Sequence, residues 1–206
     1  MSDSPKPQLY IVTPKSCELG FYTQTLAPIL DTVETSCLRL GLASDDVETL
    51  TRHLDLAREI AHERDIPIVA TDHTKLVEPL GLDGVHITTG VQSLRDIRKT
   101  LGTEAILGSY CQNSRHNGMT AGEIGVDYVG FGPVGETPIH DEIAPKELFD
   151  WWSLMIEVPV VAEGALDAQA IENLMESVDF FALGEEIWNN ELPPLKALET
   201  ITAPLG

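Results

Sequence analysis

Along the chain, short continuous apolar runs alternate with longer stretches whose apolar residues recur every three or four positions. The runs are LYIVT at 9–13, TSCLRL at 35–40, PIVAT at 67–71, GVHIT at 84–88, AILGSY at 105–110, YVGFGP at 128–133, PVVAEG at 159–164 and FFALG at 180–184. Unbroken apolar runs of this length are the pattern of parallel strands, covered by helices on one face and packed inside on the other. Between them, Asp45 with Glu48 reads as a capping box, and Val47, Leu50, Leu54, Ala57 and Ala61 then fall on one helical face. Asp167 is placed to cap a helix carrying Ala170, Ile171 and Leu174, and Pro145 suits a first turn ahead of Leu148, Trp151 and Trp152.

Eight strands alternating with helices in 206 residues predict an α/β fold, a single (β/α)8 TIM barrel. The competing open, doubly wound sheet rarely needs so many strands in so short a chain. Residues 1–8 are expected to form a flexible N-terminus and 9–206 the barrel. In a barrel, chemistry belongs at the C-terminal ends of the strands. That rule selects Lys15 and Cys17 after the first run, Arg39 on the second, Asp72 and His73 after the third, and Glu163, Glu185 and Glu186 around the last two.

Charge narrows the function. Thirty-three acidic against 13 basic residues leave a net charge of -20, which repels nucleic acid and anionic lipid. No run approaches the ~18 apolar residues of a membrane span, and the N-terminal residues lack a signal-peptide pattern, so a cytoplasmic protein is expected. Cys17, Cys37 and Cys111 are scattered, without CxxC spacing. They read as core-filling thiols rather than a disulfide framework or a zinc site. The expected partners are a small-molecule ligand and, at most, a second copy of the chain in a homodimer, with no nucleic acid and no membrane.

The order CLRLG, IPIVATD, LDGVHIT, AILGSYCQ, VDYVGFGPVGETP and IEVPVVAEGAL, spanning about Gln8 to Trp188, resembles the thiamine phosphate synthase family and its thiazole tautomerase branch. The resemblance implies a barrel that joins an aminopyrimidine diphosphate to a thiazole phosphate, with Mg2+ and release of diphosphate. The tautomerase branch isomerises a thiazole carboxylate phosphate. Carried over residue by residue, the Gln-x-Arg-x-Lys motif of the second strand falls on Cys37, Arg39 and Gly41, so Arg39 alone remains, as the catalytic diphosphate holder. The Asn-Asp pair becomes Thr71-Asp72, which leaves Asp72 as the metal ligand, and the second aspartate falls near Val91. The serine after the fifth strand lands on Tyr110, with Ser109 adjacent. The lysine of the sixth loop aligns with His140, and the tautomerase histidine with Pro133. The implied substrate-binding set is therefore Ser109, Gly132, Pro133, His140, Glu163, Gly164 and Gly184, with Lys15, Arg115 or His140 standing in for lost lysines.

Each residue also has a plainer reading. Arg39, on an inward strand position, needs a partner, and Asp72 is the carboxylate expected to supply it. Asp72 on its own is equally a helix cap. His86, in mid-strand, reads as a hydrogen-bonded core residue, and Glu186 as a solvated rim charge, whereas Glu163 follows an apolar strand into the mouth. Glu163, Glu185 and Glu186 together oppose a phosphate, each like-charge contact at 4 Å costing about 4 kcal/mol at an effective dielectric of about 20. Two functions stay open: a thiamine phosphate synthase-like protein with a degraded diphosphate site, or a repurposed barrel that binds a neutral or cationic ring.

Overall fold

Eight parallel strands pair in chain order, and the last closes on the first. They are β1 (Gln8–Val12), β2 (Cys37–Leu40), β3 (Ile68–Thr71), β4 (Gly84–Ile87), β5 (Ile106–Tyr110), β6 (Tyr128–Phe131), β7 (Val160–Glu163) and β8 (Phe180–Leu183). The computed structural model describes residues 6–44, 46–136 and 142–206. Every strand boundary lies within two residues of the expected run. The expected loose start is corrected at Gln8, which pairs with Phe180 and accepts a hydrogen bond from Ser36; residues 1–5 lie outside the described residues.

Alternation along the strands sorts the side chains. β2 turns Leu38 and Leu40 outward into the main core under the helices, and Cys37 inward to a second cluster with Tyr10, Val69, Tyr128, Val161 and Ala182. The outer layer is α1 (Ala27–Thr32), α2 (Val47–His62), α3 (Val77–Leu80), α4 (Leu94–Leu101), α5 (Arg115–Ile124), α6 (Lys146–Met155), α7 (Ala168–Leu174), α8 (Glu185–Trp188) and α9 (Pro194–Thr202). In α2 the cap is Asp46, whose carboxylate accepts from Thr49 N at 3.0 Å. The expected cap Asp45 lies outside the described residues. Val47, expected on the inner face, is 61 % exposed, while Leu50, Leu54, Ala57 and Ala61 are buried as the periodicity requires. Asp167 caps α7 through Ala170 N at 2.7 Å, and Pro145 immediately precedes α6.

One device recurs at the N-terminal end of the barrel. Asp83, Asp127 and Asp179 each stand one residue before an even-numbered strand. Their carboxylates accept from Ile68 N, Leu107 N and Val160 N, at 2.7, 2.7 and 2.8 Å, each near the start of the preceding odd-numbered strand. Some of the chain's acidity therefore satisfies backbone donors that parallel pairing leaves open.

Glycines set the interior shape. A Cβ on Gly108 would lie 2.1 Å from the Tyr128 ring, so β5 is thinned where that tyrosine crosses the barrel. Gly122, on α5, has its nearest such neighbour at 3.5 Å. Gly108→Ala is therefore expected to destabilise the protein by about 1–3 kcal/mol through overpacking, and Gly122→Ala to stabilise it by about 0.5–1 kcal/mol. Urea unfolding of the two variants measures both, and equal effects would contradict the packing described.

Candidate active site at the C-terminal mouth of the barrel

The strand C-termini open into a cavity of about 850 Å³, within the range of small-molecule sites. Among the described residues, two cationic side chains line it, the exposed Lys15 after β1 and Arg39 from β2. Four carboxylates among the described residues line it as well: Glu136 after β6, Glu163 ending β7, and Glu185 and Glu186 after β8, the strand that closes on β1.

The floor is built around Arg39. It is 9 % exposed, and its Nη2 donates to Oε2 of Glu163. The partner is thus Glu163 from across the barrel, and the expected pairing with Asp72 is corrected. Burial disfavours the guanidinium charge, but Glu163 outweighs it, and the group holds its proton more firmly than usual. The guanidinium carbon stands 5.5 Å from the centroid of the Tyr10 ring. Gly130 makes room for this arrangement, since a Cβ there would sit 2.9 Å from Glu163 Oε1.

Beneath the ion pair runs a polar chain. His86 Nδ1 lies 2.9 Å from the Tyr128 hydroxyl, which lies 2.7 Å from that of Tyr10. Burial, reinforced by Arg39, holds the His86 pKa well below the usual imidazole range, so the ring is neutral. Burial raises both tyrosines well above theirs. His86 Nε2 lies 3.7 Å from Glu163 Oε1, too far for a hydrogen bond. Among the described residues, that nitrogen and Nη1 of Arg39 have no hydrogen-bond partner.

Asp72 is engaged locally. Its backbone sits at φ 59°, a region Asp tolerates. Oδ1 accepts from Thr88 N at 2.8 Å, and Oδ2 from the Thr88 hydroxyl. Each oxygen accepts one hydrogen bond, and among the described residues no group of three or more His, Cys, Asp or Glu is arranged to hold a metal ion. Each oxygen keeps a further lone pair, so Asp72 could offer Mg2+ a ligand, with substrate phosphate oxygens and waters completing the shell.

The loops after β7 and β8 meet at Glu186. Its carboxylate accepts from Gly184 N at 2.9 Å and from Leu166 N at 3.2 Å, so it bridges two loops rather than standing as a solvated rim charge. Gly164, at φ 83°, packs against Pro133, and its carbonyl accepts from Val134 N at 2.9 Å.

Of the expected substrate-binding residues, Pro133, Glu163, Gly164 and Gly184 line the cavity. Gly132 lies behind the wall, where a Cβ would fall 2.0 Å from the Glu163 carbonyl oxygen. Ser109 is fully buried on the outer face of β5, its hydroxyl 3.7 Å from the Cys111 thiol, and Tyr110 faces the cavity instead. Arg115 lies over the Trp151 ring at 4.1 Å and does not line the cavity. His140 lies outside the described residues. The three thiols are free and separate: Cys37 inside the barrel, Cys111 in the outer core, and Cys17 3.6 Å from the Tyr22 hydroxyl. Strand phase alone was the signal for Tyr110, which shares its face with Gly108; the chain through Tyr10 and Tyr128 had no local signal.

The neutral His86 makes stability depend on pH. The unfolded chain takes up a proton near the ordinary imidazole pKa of about 6.5 and the folded chain does not, so the folded state loses stability as pH falls below that value and is unaffected above it. His53 is shifted in the same direction by burial and adds to the loss. The free energy of unfolding is expected to fall between about pH 8 and pH 5.5, and to fall less in His86→Gln. Urea titrations at the two pH values test this, and an undiminished fall in the variant would contradict it.

The thiamine monophosphate synthase family model matches residues 9–187. The thiamine-phosphate synthase of Rhodospirillum centenum is 34% identical, covering 93% of this chain and 94% of that protein. That of Hyphomonas neptunium is 30% identical, over 97% and 94%. A thiamine phosphate pyrophosphorylase structure from Pyrococcus furiosus superposes with a TM-score of 0.82 over 96% of this chain and 95% of that one, at 18% identity, and so bears on the fold alone. With a family model running from the first strand to the helix after the last, this chain belongs to the thiamine monophosphate synthase family.

Proposed function

We propose that the protein is a transferase of thiamine biosynthesis that joins an aminopyrimidine carrying diphosphate to a thiazole within the barrel mouth. The thiazole nitrogen lone pair forms a C–N bond to the pyrimidine methylene carbon. The C–O bond to diphosphate breaks, its electron pair leaves with diphosphate, and the thiazole becomes a thiazolium cation. One observation carries the reading: the mouth presents both signs of charge, Lys15 and Arg39 together with Glu136, Glu163, Glu185 and Glu186. A reaction that separates an anionic leaving group from a cationic ring is favoured by fixed charges opposite in sign to the charge that develops on each. The cations suit the diphosphate, and the carboxylates suit the ring that gains charge. Mg2+ would be held by Asp72 together with the diphosphate oxygens and would offset the charge of the leaving group.

A cytoplasmic setting and indifference to nucleic acid belong to the same reading, supported by three free thiols and a net charge of -20. So does a homodimer. No helix among the described residues is long and apolar enough to cross a membrane.

A second reading, ring binding without diphosphate displacement, is favoured by the pairing of Arg39 with Glu163, which spends much of the floor's positive charge. Turnover separates the two. Folded protein given aminopyrimidine diphosphate and a thiazole, with and without Mg2+, is expected to form the condensed thiazolium product. Arg39→Ala is expected to lower the rate by about 100-fold or more, the scale for losing one charge-stabilising donor. Folded protein that yields no product where a competent synthase works would leave only the second reading.

A further inference from the structure

The bridging carboxylate of Glu186 bears on which thiazole the site accepts. In barrels of this architecture, the loops after the seventh and eighth strands and the short helix that follows commonly hold a phosphate on backbone N–H groups. Here two of those donors, Leu166 N from the loop after β7 and Gly184 N from the loop after β8, are already taken by the two oxygens of one side chain. A carboxylate resembles part of a phosphate in charge and in the spacing of its acceptors, so Glu186 takes up the donors a phosphate would use. It also adds a negative charge to a wall that already carries Glu136, Glu163 and Glu185.

We propose that Glu186 is a built-in anion which excludes phosphate from this corner, so that the ring partner accepted here is a thiazole ending in a neutral hydroxyl rather than a phosphate ester. The inference rests on the ring-joining reading for the identity of the ligand, but not for the role of Glu186. A hydroxyl is uncharged, needs only one partner, and avoids the like-charge contact that a phosphate dianion would make with Glu186 and its neighbours. Under this assignment the condensed product leaves as an alcohol, and a separate phosphate-transferring reaction must supply any phosphate it later carries.

Three probes and three proteins test it by isothermal titration: a hydroxyalkylthiazole, its phosphate ester and inorganic phosphate, against wild type, Glu186→Gln and Glu186→Ala. Wild type is expected to bind the alcohol about tenfold or more tighter than the ester, and to give no heat with inorganic phosphate. Glu186→Ala, with both donors freed, is expected to gain about tenfold or more for the ester and to take up inorganic phosphate, with Glu186→Gln in between. Circular dichroism checks that the variants fold, and Glu186→Gln decides if Glu186→Ala does not. Wild type that binds the ester as tightly as the alcohol, or folded variants that gain neither ester nor phosphate, would overturn the inference. If neither ring binds any protein, the ring-joining reading falls and inorganic phosphate alone decides: uptake by the variants upholds the role of Glu186, and none refutes it.

Discussion

Arg39 and Glu163 lie on strands that are not neighbours, and their contact spans the inside of the barrel from β2 to β7. A guanidinium buried at that depth is tolerable only with a partner, and removing either member of such a pair typically costs about 3–5 kcal/mol because the other is left charged and unmatched. Several other features accommodate the pair. β6 carries Gly130 where the carboxylate passes, Gly132 follows β6 where the end of β7 approaches, and Tyr10 lies beside the guanidinium. His86 is held neutral beneath it, hydrogen-bonded to Tyr128 instead of titrating against the ion pair. The pair thus fixes both the shape and the electrostatics of the cavity floor.

The carboxylates at the mouth are satisfied in different ways. Glu163 is matched to a guanidinium, Glu186 to two backbone donors, and Asp72 to the amide and hydroxyl of Thr88. The wall is therefore ordered, and Glu163 among its carboxylates is matched by a cation. Lys15 and Arg39 share the mouth with these carboxylates, and Arg39 is held directly against Glu163.

Much of this was legible in the sequence, for a physical reason. Strands buried on both faces must be almost wholly apolar, so runs such as PIVAT and FFALG announce themselves, and eight of them in this length leave little but a closed barrel. Cap positions were legible to within one residue: Asp45 and Asp46 are adjacent and chemically equal, and only the start of α2 decides between them. The site was harder to read because its partnerships are not local. Arg39 meets a carboxylate more than a hundred positions away, and no periodicity distinguishes Glu163 from Asp72 as that partner. Glu186 looked like a rim charge because its two donors arise from loops that meet only once the barrel closes. Ser109 and Tyr110 differ only in strand phase, and the phase set by Gly108 and Tyr128 turns the tyrosine inward.

The hold of Glu163 on the anion-binding capacity of Arg39 has a direct measurement in pyrophosphate affinity. Titration of wild type and Glu163→Gln compares an Arg39 shared with a carboxylate against one whose neighbour keeps its shape and loses its charge. The variant is expected to bind pyrophosphate about tenfold or more tighter, with the gain abolished when Arg39→Ala is added. Equal affinity in wild type and a folded Glu163→Gln protein would mean that the ion pair does not govern the floor.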